Sequence, residues 1–170
     1  MNRVYISIGS NQNTSANVRA ALGALSERFG QLVVSSVYQS EAVGFEGENF
    51  LNLVVGLDTD DPVGELVEWL KQVEDDNGRE RGRPRFSSRT LDLDVLTYGD
   101  RTGTIDGVEL PRSEILRNAF VLRPLAEIVP EGVHPETGHT YADHWQAYER
   151  DQRLWPIEFH WQGQRISPRP

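Results

Sequence analysis

Two alternating hydrophobic periods along the first hundred residues predict an α+β fold. Apolar residues recur every second position at 3–9 and 50–57, the period of a half-buried strand, and about every 3.6 positions at 15–29 and 63–73, the period of a helix with one buried stripe. Their order is β-α-β, loop, β-α, loop, β. That order builds a ferredoxin-like split βαβ two-layer sandwich, in which helices pack on a mostly antiparallel sheet.

The elements follow in turn. Val4, Ile6 and Ile8 alternate with Tyr5 and Ser7 in the first strand, and Gly9-Ser10-Asn11 turns the chain. Val18, Leu22, Leu25 and Phe29 share one helical face, and Gly30 can end that helix with a left-handed residue. Residues 32–38 read as a second strand and 39–49 as a polar, glycine-containing loop. In the third strand Leu51, Leu53, Val55 and Leu57 face one way, while Phe50, Asn52, Val54 and Gly56 face the other. Asp61 is the expected cap of a helix with Pro62 at its first position and Val63, Leu66, Val67, Leu70 and Val73 as its buried stripe. An Arg-rich loop runs to about residue 89, and 90–98 form the fourth strand. A short hairpin around 104–110 and a helix at 119–128, ended by Pro130, complete a core of about residues 1–131. Residues 132–170 are expected to be an extension that lays its aromatics on the domain and then frays, so that 1–170 form a single catalytic domain.

Composition removes several chemistries. The 170 residues contain no cysteine, which excludes thiolate metal sites, iron–sulfur clusters and thiol nucleophiles. The N-terminus lacks the shape of a secretory leader, no stretch is long enough to span a bilayer, and a cytoplasmic location is the expectation. Seventeen basic against 26 acidic residues give a net charge of −9, which argues against a nucleic acid partner. The charge is uneven. Only Lys71 relieves the acids between Glu41 and Asp76, and then Arg79, Arg81, Arg83, Arg85 and Arg89 arrive close together. A concentrated Arg patch in an acidic chain points to a small, strongly anionic ligand; the competing reading is a solvated loop paired with the acidic stretch.

The stretch Arg89-Thr90-Leu91-Asp92-Leu93-Asp94 carries the chemistry. On a strand, Asp92 and Asp94 project together and repel, which a hard cation such as Mg²⁺ relieves while phosphate and water fill its other positions. Guanidiniums beside such a pair neutralise a transferring phosphoryl group. The alternative is an ordinary solvated strand face. Neither a GxxxxGK[ST] nor a GxGxxG loop is present, so side chains and closing loops must hold any nucleotide. Phe50 offers a stacking surface for a flat heterocycle, and Asn52 a donor and an acceptor, unless the C-terminal segment covers that face and Phe50 is plain core. The histidines at 134, 139, 144 and 160 form no close metal-ligand pattern, and His134 and His139 read as loop residues.

With those residues in view, the chain resembles the 6-hydroxymethyl-7,8-dihydropterin pyrophosphokinases of folate biosynthesis, from Val4 to about Glu131. The likeness is carried by the opening YISIGSN, Tyr38, Phe50-Leu51-Asn52, Gly78-Arg79, RTLDLD at 89–94, and the run from Phe120 to Ile128 followed by Pro130. The resemblance implies transfer of the diphosphate of ATP to the pterin hydroxymethyl group with release of AMP and no covalent enzyme intermediate. It implies that Asp92 and Asp94 hold two magnesium ions, and that Arg79 and Arg89 act with them on the phosphates. Glu74, Arg79, Arg81, Arg89, Val95 and Arg112 are the implied ATP contacts. Ser40, Val43, Phe50, Asn52, Asp92 and Phe120 are the implied pterin contacts. A monomer acting only on small molecules is implied too. Two departures stand out: Phe86-Ser87-Ser88 where members often carry a proline-ended triplet, and Arg112-Ser113 where many carry a His-Tyr pair. Arg112 is the residue placed to replace that histidine. A non-catalytic pterin or nucleotide binder, or a transferase with another acceptor or nucleotidyl chemistry, is the alternative function.

Overall fold

The computed structural model describes residues 1–40, 49–77 and 91–169. Strand β1 (Asn2–Ser10) lies inside the sheet, flanked by β4 (Phe50–Thr59) and β5 (Asp92–Tyr98), both antiparallel to it. Short strands β2 (Val33–Val34) and β3 (Val37–Ser40) pair with the far side of β4. The order β5-β1-β4-β3 is that of the expected split βαβ unit, with β4 inserted between β1 and the strand that follows the first helix. Residues 32–38 therefore form two strands rather than one, broken at Ser35-Ser36, where the Ser35 hydroxyl accepts the Val54 N–H at 2.9 Å.

Helices α1 (Thr14–Phe29) and α2 (Val63–Asp76) cover one face, and the alternation read from the sequence dictates what they bury. Val4, Ile6, Ile8, Leu51, Leu53, Val55, Leu57, Leu93 and Val95 point at Val18, Leu22, Leu25, Leu66 and Leu70, forming the main core. Asp61 does not cap α2. Its carboxylate pairs with Arg28 at 2.8 Å, and the Gly64 N–H instead donates to Asp106 Oδ2 at 3.0 Å, from the turn between β6 (Gly103–Ile105) and β7 (Val108–Leu110). A distant hairpin thus supplies the carboxylate that the sequence placed locally.

The expected two layers describe the first hundred residues; later residues add a third. Val54 and Leu96, on the opposite sheet face, pack with Ile115 of α3 (Glu114–Arg117), Val121, Leu122 and Leu125 of α4 (Ala119–Ile128), and Tyr141 of α5 (Tyr141–Gln146). The Arg123 guanidinium lies 4.9 Å over the Tyr38 ring, joining α4 to β3. The C-terminal stretch does not fray within the described residues. Strand β8 (Leu154–Ile157) pairs with β3 and extends the sheet, β9 (Phe159–Trp161) and β10 (Gln164–Ser167) form a hairpin, and the Arg169 N–H donates to Ser36 Oγ at 2.6 Å.

The histidines of the 134–144 stretch form a cluster that their spacing hides. His134 is buried, its Nδ1 accepts the N–H groups of Glu136 and Thr137 at 3.2 Å each, and its ring lies 5.7 Å from that of His144, which is 5.9 Å from His139. Burial lowers the pKa of His134, with the neighbouring His144 adding to it against Glu136; burial and His139 lower that of His144 against Asp143. Both groups bind protons less readily folded than unfolded. Their stabilisation is complete above about pH 6.5, the ordinary histidine value, and is lost as pH falls below it. The denaturation midpoint should therefore drop between pH 7 and 5, and His144→Asn should flatten that slope. An unchanged slope in the variant would assign the acid sensitivity to other groups.

Candidate active site

The second sheet face is apolar at one end and polar at the other. Beneath α4 lie Val54 and Leu96, but toward the start of β5 the row across the sheet reads Tyr38, Asn52, Gly9, Asp92, and the next Val54, Ser7, Asp94. Asp92 and Asp94 thus project on one face, as the strand period requires, while Leu91, Leu93 and Val95 are buried. Asn52 and Asp92 stand two strand spacings apart, roughly 10 Å. Between them Gly9 leaves room: a Cβ there would come within 3.1 Å of Asn52 Oδ1. Asn52 is buried, and its Nδ2 donates to Ser40 Oγ at 3.1 Å, which orients the amide. Phe50, opposite Ser40, is half-buried.

At the β5 edge opens a cleft of about 560 Å³. Glu74, Asp92, Asp94, Val95 and Arg112 all line it, so the structure gathers these expected phosphate-side and cation-side residues in one place. The Arg112 guanidinium lies 3.6 Å from Asp94 and 2.8 Å from Glu114. Burial alone pulls its pKa down, but Asp94 and Glu114 outweigh that and hold it above the ordinary arginine value. Glu74 is almost wholly buried near the end of α2, and its Oε2 accepts the Leu93 N–H at 2.7 Å. It therefore grips the backbone between the two aspartates, a task the sequence reading, which gave it to the nucleotide, did not foresee.

The lining is acidic. Among the described residues Glu74, Asp92, Asp94, Glu109 and Glu114 oppose only Lys71 and Arg112. By themselves these described residues favour a polyphosphate carrying divalent cations over a bare one. The donors suit Mg²⁺: two carboxylates on one face, Asp94 about one-third exposed, fit an ion that keeps several waters and takes phosphate oxygens, rather than one held in a closed protein cage.

Phe120 opens α4, half-buried against the second core. Arg117, on the preceding turn, is exposed and donates to Ser113 Oγ at 2.9 Å. Val43, Arg79, Arg81 and Arg89 lie outside the described residues. Lys71, Glu109 and Glu114 also line the cleft, and Gly9 gives Asn52 room, roles not expected from the sequence. Lys71 was visible as the only lysine; Gly9, expected in a turn, lies inside β1; and nothing in the spacing marks Glu109 or Glu114 as cleft residues.

Fold and site together define an α+β domain with a split βαβ core and paired carboxylates at the rim of an edge-strand cleft. The family model described as 7,8-dihydro-6-hydroxymethylpterin-pyrophosphokinase (HPPK) matches residues 5–130, and the chain belongs to that family. Among its relatives, the 2-amino-4-hydroxy-6-hydroxymethyldihydropteridine pyrophosphokinase of Haemophilus influenzae is 34% identical over 150 residues, covering 82% of this chain and 93% of that protein. The Bacillus subtilis protein of the same name is 35% identical over 131 residues, covering 75% and 78%. Solved structures share the fold at lower identity. An HPPK-DHPS crystal structure in complex with substrates has a TM-score of 0.67 at 14% identity over 86% of this chain and 43% of that one. Wild-type Plasmodium falciparum HPPK-DHPS has a TM-score of 0.64 at 14% identity, over 86% and 44%. The chain spans less than half the length of those two proteins. No helix among the described residues is long and apolar enough to cross a membrane.

Proposed function

We propose that this protein transfers the diphosphate of ATP to the hydroxymethyl group of 6-hydroxymethyl-7,8-dihydropterin and releases AMP, a step of folate biosynthesis. The observation that carries the reading is the pair Asp92 and Asp94, side by side on the edge strand at the rim of a cleft whose wall also holds Arg112. Bound there by the two aspartates, magnesium would neutralise the phosphates and polarise the reacting groups. Two ions, a monomeric protein and a cytoplasmic location complete the proposal.

The chain's own residues do the positioning. Asn52, its amide oriented by Ser40 and given room by Gly9, reads the hydrogen-bonding edge of the pterin, and Phe50 and Phe120 hold its ring. Arg112, Arg79, Arg81 and Arg89 take phosphate oxygens, where planar guanidiniums bind in bidentate fashion. Arg112 is held for that task by Glu114. The hydroxymethyl oxygen attacks the β-phosphorus in line. A new O–P bond forms, the hydroxyl proton is lost, and the bond from the β-phosphorus to the AMP oxygen breaks. Nothing in this sequence of steps calls for a phosphorylated side chain.

The test is an assay with ATP, Mg²⁺ and 6-hydroxymethyl-7,8-dihydropterin that identifies the nucleotide product. AMP in step with pterin diphosphate is the expected result. Pyrophosphate release would mean nucleotidyl transfer, and magnesium-dependent ATP binding with no turnover would mean a sensor; either overturns the proposal.

A further inference from the structure

The helix that carries Phe120 has no cap of its own. Asn118 occupies the N-cap position of α4 in an extended conformation, φ −116° and ψ 121°, yet its side chain makes no capping bond. The first N–H groups of a helix need acceptors from elsewhere. Here the acceptor comes from downstream of the family match: Gln152 Oε1 takes the Ala119 N–H at 2.7 Å. The other half of the same amide, Nε2, donates to the Arg117 carbonyl at 3.3 Å, and the Tyr148 hydroxyl donates to that carbonyl at 2.7 Å. One stretch therefore grips both the carbonyl just before the turn and the amide just after it.

A few residues further on, the same stretch ties to the strands that carry the other proposed pterin contacts. Leu154 faces Ser40 in the β8–β3 ladder, Ser40 Oγ accepts the Asn52 amide, and the Leu154 carbonyl accepts a bond from Arg123, one turn along α4 from Phe120, at 3.3 Å. Ser40, Phe50 and Asn52 on the one hand and Phe120 on the other come from elements far apart in sequence. Residues 148–154 contact both.

We propose that residues 148–154 act as a strap that sets the spacing of the acceptor slot, with Gln152 as the positioning residue that fixes the turn bearing Phe120. The inference rests on the reading of that slot as the pterin site. Gln152 need not touch the pterin. It acts by holding the Ala119 amide and the Arg117 carbonyl, so that Phe120 enters the slot in one orientation. Preorganisation of this kind strengthens binding by removing the cost of ordering the wall when the ligand arrives.

The test uses the full chain and titration calorimetry with two probes: α,β-methylene-ATP with Mg²⁺, then 6-hydroxymethyl-7,8-dihydropterin added to that complex. Gln152→Ala should weaken pterin binding about fivefold, the size of effect expected from one lost helix cap, and leave the nucleotide within about twofold. Gln152→Glu keeps an oxygen for the Ala119 N–H and should recover most of the loss. Tyr148→Phe should move binding in the same direction by less. Amide exchange at Ala119 should quicken in Gln152→Ala. Pterin affinity unchanged in Gln152→Ala, or both ligands weakened equally, overturns the strap alone. Wild-type protein that binds no pterin overturns the reading of the slot and the strap with it.

Discussion

Replacing Asp94 with alanine should lower AMP release by about 10³-fold or more while leaving the fold intact. Asp94 stands beside Ser7 on an edge strand with its side chain about one-third exposed, so no core packing is lost. Its neighbour Arg112 is not orphaned, because Glu114 remains at 2.8 Å. Stability should therefore stay within about 0.5 kcal/mol of wild type, the usual range for surface substitutions. What disappears is one of the two carboxylates proposed to hold a divalent cation in a cleft whose described lining is acidic. Asp94→Asn, which keeps the shape and removes the charge, should fall nearly as far. The measurement is product release at saturating ATP and Mg²⁺, with a thermal melt run alongside. A variant that retains a tenth of wild-type turnover would show that the cation is held elsewhere.

Glu74→Ala should damage stability and turnover together. The buried carboxylate of Glu74 satisfies the Leu93 N–H, on the outer edge of a strand whose other side pairs with β1. Loss of that acceptor leaves a buried donor unpaired, at about 1–3 kcal/mol. It also frees the backbone between Asp92 and Asp94, and an error of about 1 Å in placing a catalytic group costs on the order of 10²-fold in rate. Glu74→Gln supplies a neutral acceptor of the same length and should restore most of both. Unfolding midpoints and turnover separate the two roles proposed for this residue. If Glu74→Gln keeps its stability but loses ATP affinity, contact with the nucleotide outweighs support of the strand.

The success of the sequence reading follows the range of the forces involved. Strands β1, β4 and β5 and helices α1, α2 and α4 were legible because burial of one face leaves its period in the chain, and the paired carboxylates were legible because a strand's period of two puts Asp92 and Asp94 on one side. Gly30 ends α1 at φ 79° as its position predicts, but the cap of α2 differs. Asp61 has the right chemistry in the right place, yet Arg28 claims it and Asp106 takes over its bond. Asn118, for which no capping role was expected, stands at a cap position whose side-chain acceptor comes from Gln152 instead. A carboxylate or amide has several partners of similar worth within reach, and only the folded neighbourhood selects among them.

The same limit hid the role of the last forty residues. Their strands are short, carry weak alternation, and gain stability by pairing with an edge that the rest of the chain creates. Hydrophobic period and residue chemistry, both local properties, were enough to prescribe a split βαβ sandwich and a pair of carboxylates on one strand face. Which amide closes which helix, which glutamate steadies which strand, and where the chain's end is fastened depended on contacts between segments distant in sequence. Those contacts follow no period, and they acquire a free energy only once the sheet has brought the segments together.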